Sequence, residues 1–307
     1  MFETPVLLLL FNRPKETQQV IDALQVVRPS KIYVAIDGPR KNNEKDIKLI
    51  SEVESIIENI NWSCNIRTLK RVNNVGCKNA VSDAIDWLFN NEEEAIIIED
   101  DCLPSESFFF FCEKMLAKYR HDSRIAQICG FNPLNIDRAM KYDYFYSYLG
   151  SVWGWATWKR AWQNYDISMH DWPDIMSKNQ LQYQYISSLL RNQRYIAYEK
   201  TYNGKISTWD YQWAYTRAIN NQLCVIPSKS LIKNLGCNDD GTNIKRKPRW
   251  LESNVCNEID CDRLISPPNM LPNVKYEKRF SRRAKPWFGA EIYYLIRVSQ
   301  LKLMDRN

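Results

Sequence analysis

Residues 94–101 read Glu-Ala-Ile-Ile-Ile-Glu-Asp-Asp, an apolar run from Ala95 to Ile98 that passes directly into the carboxylates Glu99, Asp100 and Asp101. So short a run, bounded by acids on both sides, predicts a buried strand. Three adjacent carboxylates at its end repel one another unless a cation or hydrogen-bond donors compensate them. A hard divalent ion is the economical expectation. Carboxylate oxygens suit Mn²⁺ or Mg²⁺, and a site with few protein ligands leaves room for a diphosphate to complete the shell. A solvated acidic turn is the bland alternative.

Working outward, the same strand-then-helix cycle recurs. Thr4 to Phe11 is continuously apolar, as in a parallel strand covered on both faces. Pro14 suits the first turn of a helix over 14–27, with Val20, Ile21 and Leu24 forming its apolar stripe. Lys31 to Asp37 predicts a second strand, stopped by Gly38-Pro39 and followed by a charged helix over about 42–60. Further strands are expected near 65–70 and 125–131, with helices over 76–89 and over 105–119, the last capped by Ser105. Alternating units of this length imply an α/β fold with a largely parallel sheet between helices. Ligands in such sheets sit outside the carboxyl ends of the strands. Arg13, Asp37 and Glu99-Asp100-Asp101 all fall at such ends. Together they form a candidate nucleotide cradle, since an Arg fork holds phosphate and an Asp accepts from a base N–H or a ribose hydroxyl. Taken singly, each is equally a salt-bridge or turn residue.

The composition agrees. With 307 residues, 45% of them apolar and 25% charged, the chain is neither disordered nor low in complexity. No basic start with a long apolar stretch is present at the N-terminus, so the nine cysteines are expected to be reduced and mostly core residues in a cytoplasmic setting. None is in C-x-x-C spacing, and with only two histidines a zinc site or a Cys-His nucleophile has little to draw on. The net charge of +6 is carried by residues 275–307, where nine Lys/Arg face three acids; the preceding 274 residues are neutral. That distribution argues against a nucleic-acid groove and places any anionic contact at the C-terminus.

From about Tyr142 the chain becomes tryptophan-rich without any linker. Residues 1–141 are therefore expected to form one half, and residues 142–274 a second half of the same domain, with a polar lid loop about 236–249. Residues 275–307 would be a basic tail. Trp155, Trp158 and Trp162 fall at helical spacing, which predicts a core stripe. Trp153, beside Gly154, is the candidate for stacking on an acceptor sugar.

The motifs Leu10-Phe11-Asn12-Arg13, Ile36-Asp37-Gly38-Pro39, Ile97-Ile98-Glu99-Asp100-Asp101 and Thr208-Trp209-Asp210-Tyr211-Gln212-Trp213 resemble, in this order, those of GT-A nucleotide-sugar glycosyltransferases, in particular the N-acetylglucosaminyltransferase I-like group. The resemblance covers roughly residues 5–236, and Glu-Asp-Asp stands as a version of that family's Asp-x-Asp motif. It implies a GT-A (Rossmann-like) fold and an Mn²⁺- or Mg²⁺-dependent transfer from a UDP-sugar, such as UDP-GlcNAc, to a glycan or lipid-linked saccharide. By position, Phe11 and Trp209 would line the nucleotide-sugar site, Arg13 would contact the diphosphate and Asp37 the uracil. Asp101 would hold the metal, Glu99 and Asp100 would face the sugar and ribose, and Asp210 would be the general base. Two departures stand out: Trp209 to Trp213 replaces the family's Trp-Asp-Asp-Trp, and no histidine lies between Gly76 and Phe89.

The residues also leave other readings open. Asp210 is equally the N-cap of a helix over 211–220. A sugar-1-phosphate nucleotidyltransferase is an alternative, but Phe11-Asn12-Arg13-Pro14 lacks a Gly-rich phosphate loop. A carbohydrate- or membrane-binding module and a phosphohydrolase are the others. The basic tail, with Trp287-Phe288 and an apolar segment over 292–303, predicts either peripheral association with an anionic membrane surface at its inner face or docking onto the body.

Overall fold

The computed structural model describes residues 2–134, 141–236 and 255–282, together with Ile296 and Ser299. Its centre is a mixed eight-stranded sheet flanked by helices, an α/β architecture. In chain order the first half comprises β1 (Val6–Leu10), α1 (Pro14–Val27), β2 (Lys31–Ile36), α2 (Glu44–Glu58), β3 (Asn65–Lys70), α3 (Gly76–Phe89) and β4 (Glu94–Glu99). Next come β5 (Cys102–Pro104), α4 (Glu106–Tyr119), β6 (Ile125–Cys129), β7 (Tyr144–Ser147), β8 (Trp155–Trp158) and α5 (Lys159–Trp162). The chain continues through α6 (Trp172–Ser177), α7 (Ser188–Tyr202), α8 (Asp210–Ile219), β9 (Leu223–Pro227), β10 (Ile232–Asn234) and α9 (Val274–Ser281).

The order across the sheet is β3-β2-β1-β4-β8-β6-β9-β7. The first four strands are parallel, and three of them, β1, β2 and β4, carry the apolar runs that predict it. In the second half β8 runs antiparallel to both β4 and β6, and β7 antiparallel to β9, while β6 and β9 are parallel to each other. Only β7 and β8 therefore run against the other strands, and the expectation of a largely parallel sheet holds. The sheet is continuous across residue 141, because β6 pairs with both β8 and β9.

Successive side chains of β1 enter opposite layers. Val6, Leu8 and Leu10 join α1, α2 and α4 in one core, while Leu7 and Leu9 join α3, Trp155, Trp162, Trp209 and Trp213 in the other. Trp155 and Trp158 are buried, as expected, but on strand β8, and only Trp162 lies on a helix. Ser105 occupies the N-cap position of α4 without a side-chain capping bond. A third core, built from Trp172, Tyr195, Tyr198 and Tyr215, fills the space under α6, α7 and α8. The lid loop, apart from Gly236, and the tail beyond Arg282, apart from Ile296 and Ser299, lie outside the described residues.

Candidate active site

Strands β2, β1 and β4 are neighbours, so their carboxyl ends bring Asp37, Phe11-Asn12-Arg13 and Glu99-Asp100-Asp101 to one edge. The ladders continue into this edge, with Asp37 N–H donating to Leu10 O and Asp100 N–H to Leu9 O. Arg13 Nη1 donates to Asp100 Oδ1 and to Asp101 Oδ2, both at 2.8 Å, and Phe11 N–H donates to Asp100 Oδ2. Burial works against the charge on Arg13, but Asp100, Asp101 and Glu99 outweigh it and hold the guanidinium above its ordinary value. Burial raises Asp100 while Arg13 opposes it. Glu99 is pushed well up by burial and then by Asp101, Asp100 and Asp210. Arg13 therefore supplies part of the compensation that three adjacent carboxylates need, and Glu99 stays raised beside it.

Asp37 has a different job from the one expected of it. Its Oδ1 accepts from Gly38 N–H and Val75 N–H, and its Oδ2 from Asn74 Nδ2 and Gly76 N–H. Both oxygens are full, so no lone pair is left for a uracil N–H. The residue instead ties the loop before α3 to the end of β2. Gly76 takes φ +80° there, which an L side chain resists. At Gly38 a Cβ would run into the backbone of Asn73.

Across the edge, Asp210 is the first residue of α8, with Trp209 at the N-cap. It is a first-turn acid and not the cap, which corrects that reading. The Thr208 hydroxyl donates to Asp210 Oδ1. Trp209 is 2% exposed and stacks on Trp155 with ring centroids 5.7 Å apart, so its faces are spent on the core and none is open to a nucleotide-sugar. Its part is to seat Asp210. Because Ile97 pairs with Trp155 across β4 and β8, this stack also brings Asp210 within electrostatic reach of Glu99. Trp153 lies in the opposite core layer, half-buried against Phe131 at 4.7 Å.

Most other residues of the site lie outside the motifs. Cys77, in the first turn of α3, is surrounded by Glu99, Asp210, Asp37 and Asp100; loss of water around the sulfur and these charges push its thiol up to about 12. Tyr165 bonds Trp209 O and also feels Asp210. Asn12 and Arg40 both donate to the buried Asp46 at the start of α2, sealing the loops after β1 and β2 together. The short β5–β10 pair brings Leu235 N–H onto Asp101 O and lays Gly236 against the Asp101 carboxylate, where a methyl group would overlap it. Of these, only Asn12 stands inside a motif read from the sequence, beside Arg13.

Among the described residues no three His, Cys, Asp or Glu side chains converge as metal ligands. The donor set fits a sparser arrangement. Asp101 Oδ1 carries only the weak Cys102 Sγ contact at 3.5 Å, leaving one hard oxygen available beside the Arg13 fork.

No known family profile matches the chain, and no curated protein sequence matches it either. Solved structures do align loosely. A galactosyltransferase LgtC in complex with donor and acceptor sugar analogues is 12% identical, with TM-score 0.37 over 86% of this chain and 97% of that one. An apo-UDP-glucose pyrophosphorylase gives 8% identity and TM-score 0.41 over 82% and 97% of the two chains. A 4-diphosphocytidyl-2C-methyl-D-erythritol synthase from Anaerococcus prevotii gives 13% identity and TM-score 0.38 over 82% and 95%. At these scores the functional reading rests on the residues of the edge themselves.

Proposed function

We propose that the chain is an inverting glycosyltransferase that moves a sugar from a UDP-sugar, such as UDP-GlcNAc, to the hydroxyl of a glycan or lipid-linked saccharide. The observation that carries the reading is the Arg13 fork held between Asp100 and Asp101 at the strand ends, with Asp210 facing the same edge through Glu99. A diphosphate needs a cation fixed in direction, and a guanidinium whose position is set by two carboxylates provides one. Arg13 would contact the phosphate oxygens. Asp101 would hold Mn²⁺ or Mg²⁺, which supplies Lewis-acid neutralisation of the departing diphosphate. Phe11 would border the nucleotide, while Glu99 and Asp100 would face the sugar and ribose.

Asp210 accepts the proton of the acceptor hydroxyl as its oxygen forms the new bond to C1. The C1–O bond to the diphosphate breaks on the opposite face, and one displacement inverts the anomeric centre. The Thr208 hydroxyl fixes one Asp210 oxygen and leaves the other for this proton. Trp153, half-open at the edge of the opposite layer, is the acceptor-side stacking candidate.

Calorimetric titration of UDP, with and without Mn²⁺, on wild type and Asp101→Ala tests the reading. Manganese-dependent binding that disappears in the variant is expected. No UDP binding under either condition would overturn a UDP-sugar donor.

A further inference from the structure

The segment 265–282 runs along the open edge of the sheet. Asp143 N–H donates to Ile265 O just before β7, Ile265 N–H returns to Asp143 Oδ2, and Asn273 N–H donates to Tyr146 O on β7 itself. Such cover shields a strand edge from pairing with other chains. Helix α9 is then fixed by its inner face. Tyr276 packs on Phe145 at 4.7 Å, Glu277 accepts from Ser147 Oγ at 2.6 Å and Tyr148 N–H at 2.8 Å, and Ser281 is buried.

The outer face of this cover is of one kind. Lys275, Lys278, Arg279 and Arg282 are all exposed, and none joins an ion pair among the described residues. The only acid of the helix, Glu277, is on the inner face. Next to these cations Leu271 is 70% exposed, Val274 46% and Ile265 53%. Four unpaired cations interspersed with three exposed aliphatic side chains suit a surface that is anionic at the level of its charges and apolar just beneath. Among the described residues no helix is long and apolar enough to cross a membrane, so contact here is lateral.

We infer that the outer face of α9 with Leu271 and Ile265 docks the protein on an anionic lipid bilayer. The inference is independent of the donor-site reading. It places the body at a membrane surface by a face that the core does not need.

The test is sedimentation of the full chain with phosphatidylcholine vesicles containing or lacking phosphatidylglycerol, at low and high salt. Wild type, Lys278→Glu/Arg279→Glu and Leu271→Ser/Val274→Ser are compared, with thermal unfolding as the check on folding. Wild type is expected to bind only the anionic vesicles and to release in high salt. Removing two cations should weaken binding roughly twentyfold or more, and the serine pair should weaken it without changing the salt dependence. Equal binding to both vesicle types, no binding at all, or undiminished binding by a folded charge-reversal variant would each overturn the inference. So would a wild-type dimer, seen by sedimentation velocity and lost in the charge-reversal variant, in place of vesicle binding. UDP titration of the same variants should match wild type whatever the vesicles show.

Discussion

Arg13 Nη1 lies 2.8 Å from Asp101 Oδ2, so the residue proposed to hold a metal is already in a salt bridge with the residue proposed to hold the diphosphate. The pair is partly buried, and removing its cation leaves Asp100 and Asp101 facing each other. Arg13→Met should therefore cost about 2 kcal/mol in urea unfolding near neutral pH, at the low end for a broken buried pair because solvent reaches the guanidinium. It should also abolish UDP binding. A variant as stable as wild type would show that the fork does not hold the edge together.

Asp210 is a first-turn acid and not a cap, so Asp210→Asn gives up only its interaction with the start of α8, less than about 1 kcal/mol. Turnover should fall about 10² to 10⁴-fold if Asp210 is the base, with UDP affinity kept. The comparison needs single-turnover rates beside thermal unfolding. Near-normal rates in a folded variant would remove Asp210 from the chemistry.

The Arg40 hydrogen bonds hold the Asp46 carboxyl down to about 2, against its burial and with help from Asn12. A lowered value in the folded state means stability that is fully present above the ordinary carboxylate range and is lost as pH falls toward 2. The stability difference between wild type and Asp46→Asn should be constant from neutral pH to about pH 5 and then shrink. It should reach about 1.5 kcal/mol on the plateau, allowing for water around Arg40. Urea melts at several pH values would show it, and a pH-independent difference would assign the loss to packing alone.

Cys77 offers a chemical probe of the edge. Its thiol is raised to about 12 by loss of water and by the surrounding carboxylates, so iodoacetamide should label it slowly at pH 7 and faster with each unit of pH. UDP with Mn²⁺ should protect it. Peptide mapping by mass spectrometry reads both effects, and labelling indifferent to UDP would place the nucleotide elsewhere.

The first half of the fold is legible because its local signals agree. Pro14 starts α1 where the sequence says, α3 begins at Gly76, which the sequence places just before it, and the apolar run of β1 is buried throughout. Strand β8 misleads for a physical reason: with neighbours on both sides and cores above and below, all four of its residues are buried. No alternation remains, and the spacing of Trp155, Trp158 and Trp162 imitates a helix. Asp37 is misleading in another way. Three of its four donors come from a loop 37 or more residues later, two of them backbone N–H groups, which no side-chain motif records. The Arg13 bridge to Asp100 and Asp101 spans more than 80 residues, and strand order alone brings it together.

Strand β8 also sets an order of assembly. The β3-β2-β1-β4 half is complete once residue 99 has been made, but the open side of β4 waits for residues 155–158 to return antiparallel beside it. Until then Ile96 and Ile97 form an uncovered edge, and Trp155 is not yet in place to receive Trp209. The carboxylate cluster can thus form early in synthesis, whereas Asp210 can be seated only after two later segments have found it. Pairing of such long sequence separation is slow, so the Arg13 bridge should form before Asp210 reaches its place as the chain refolds.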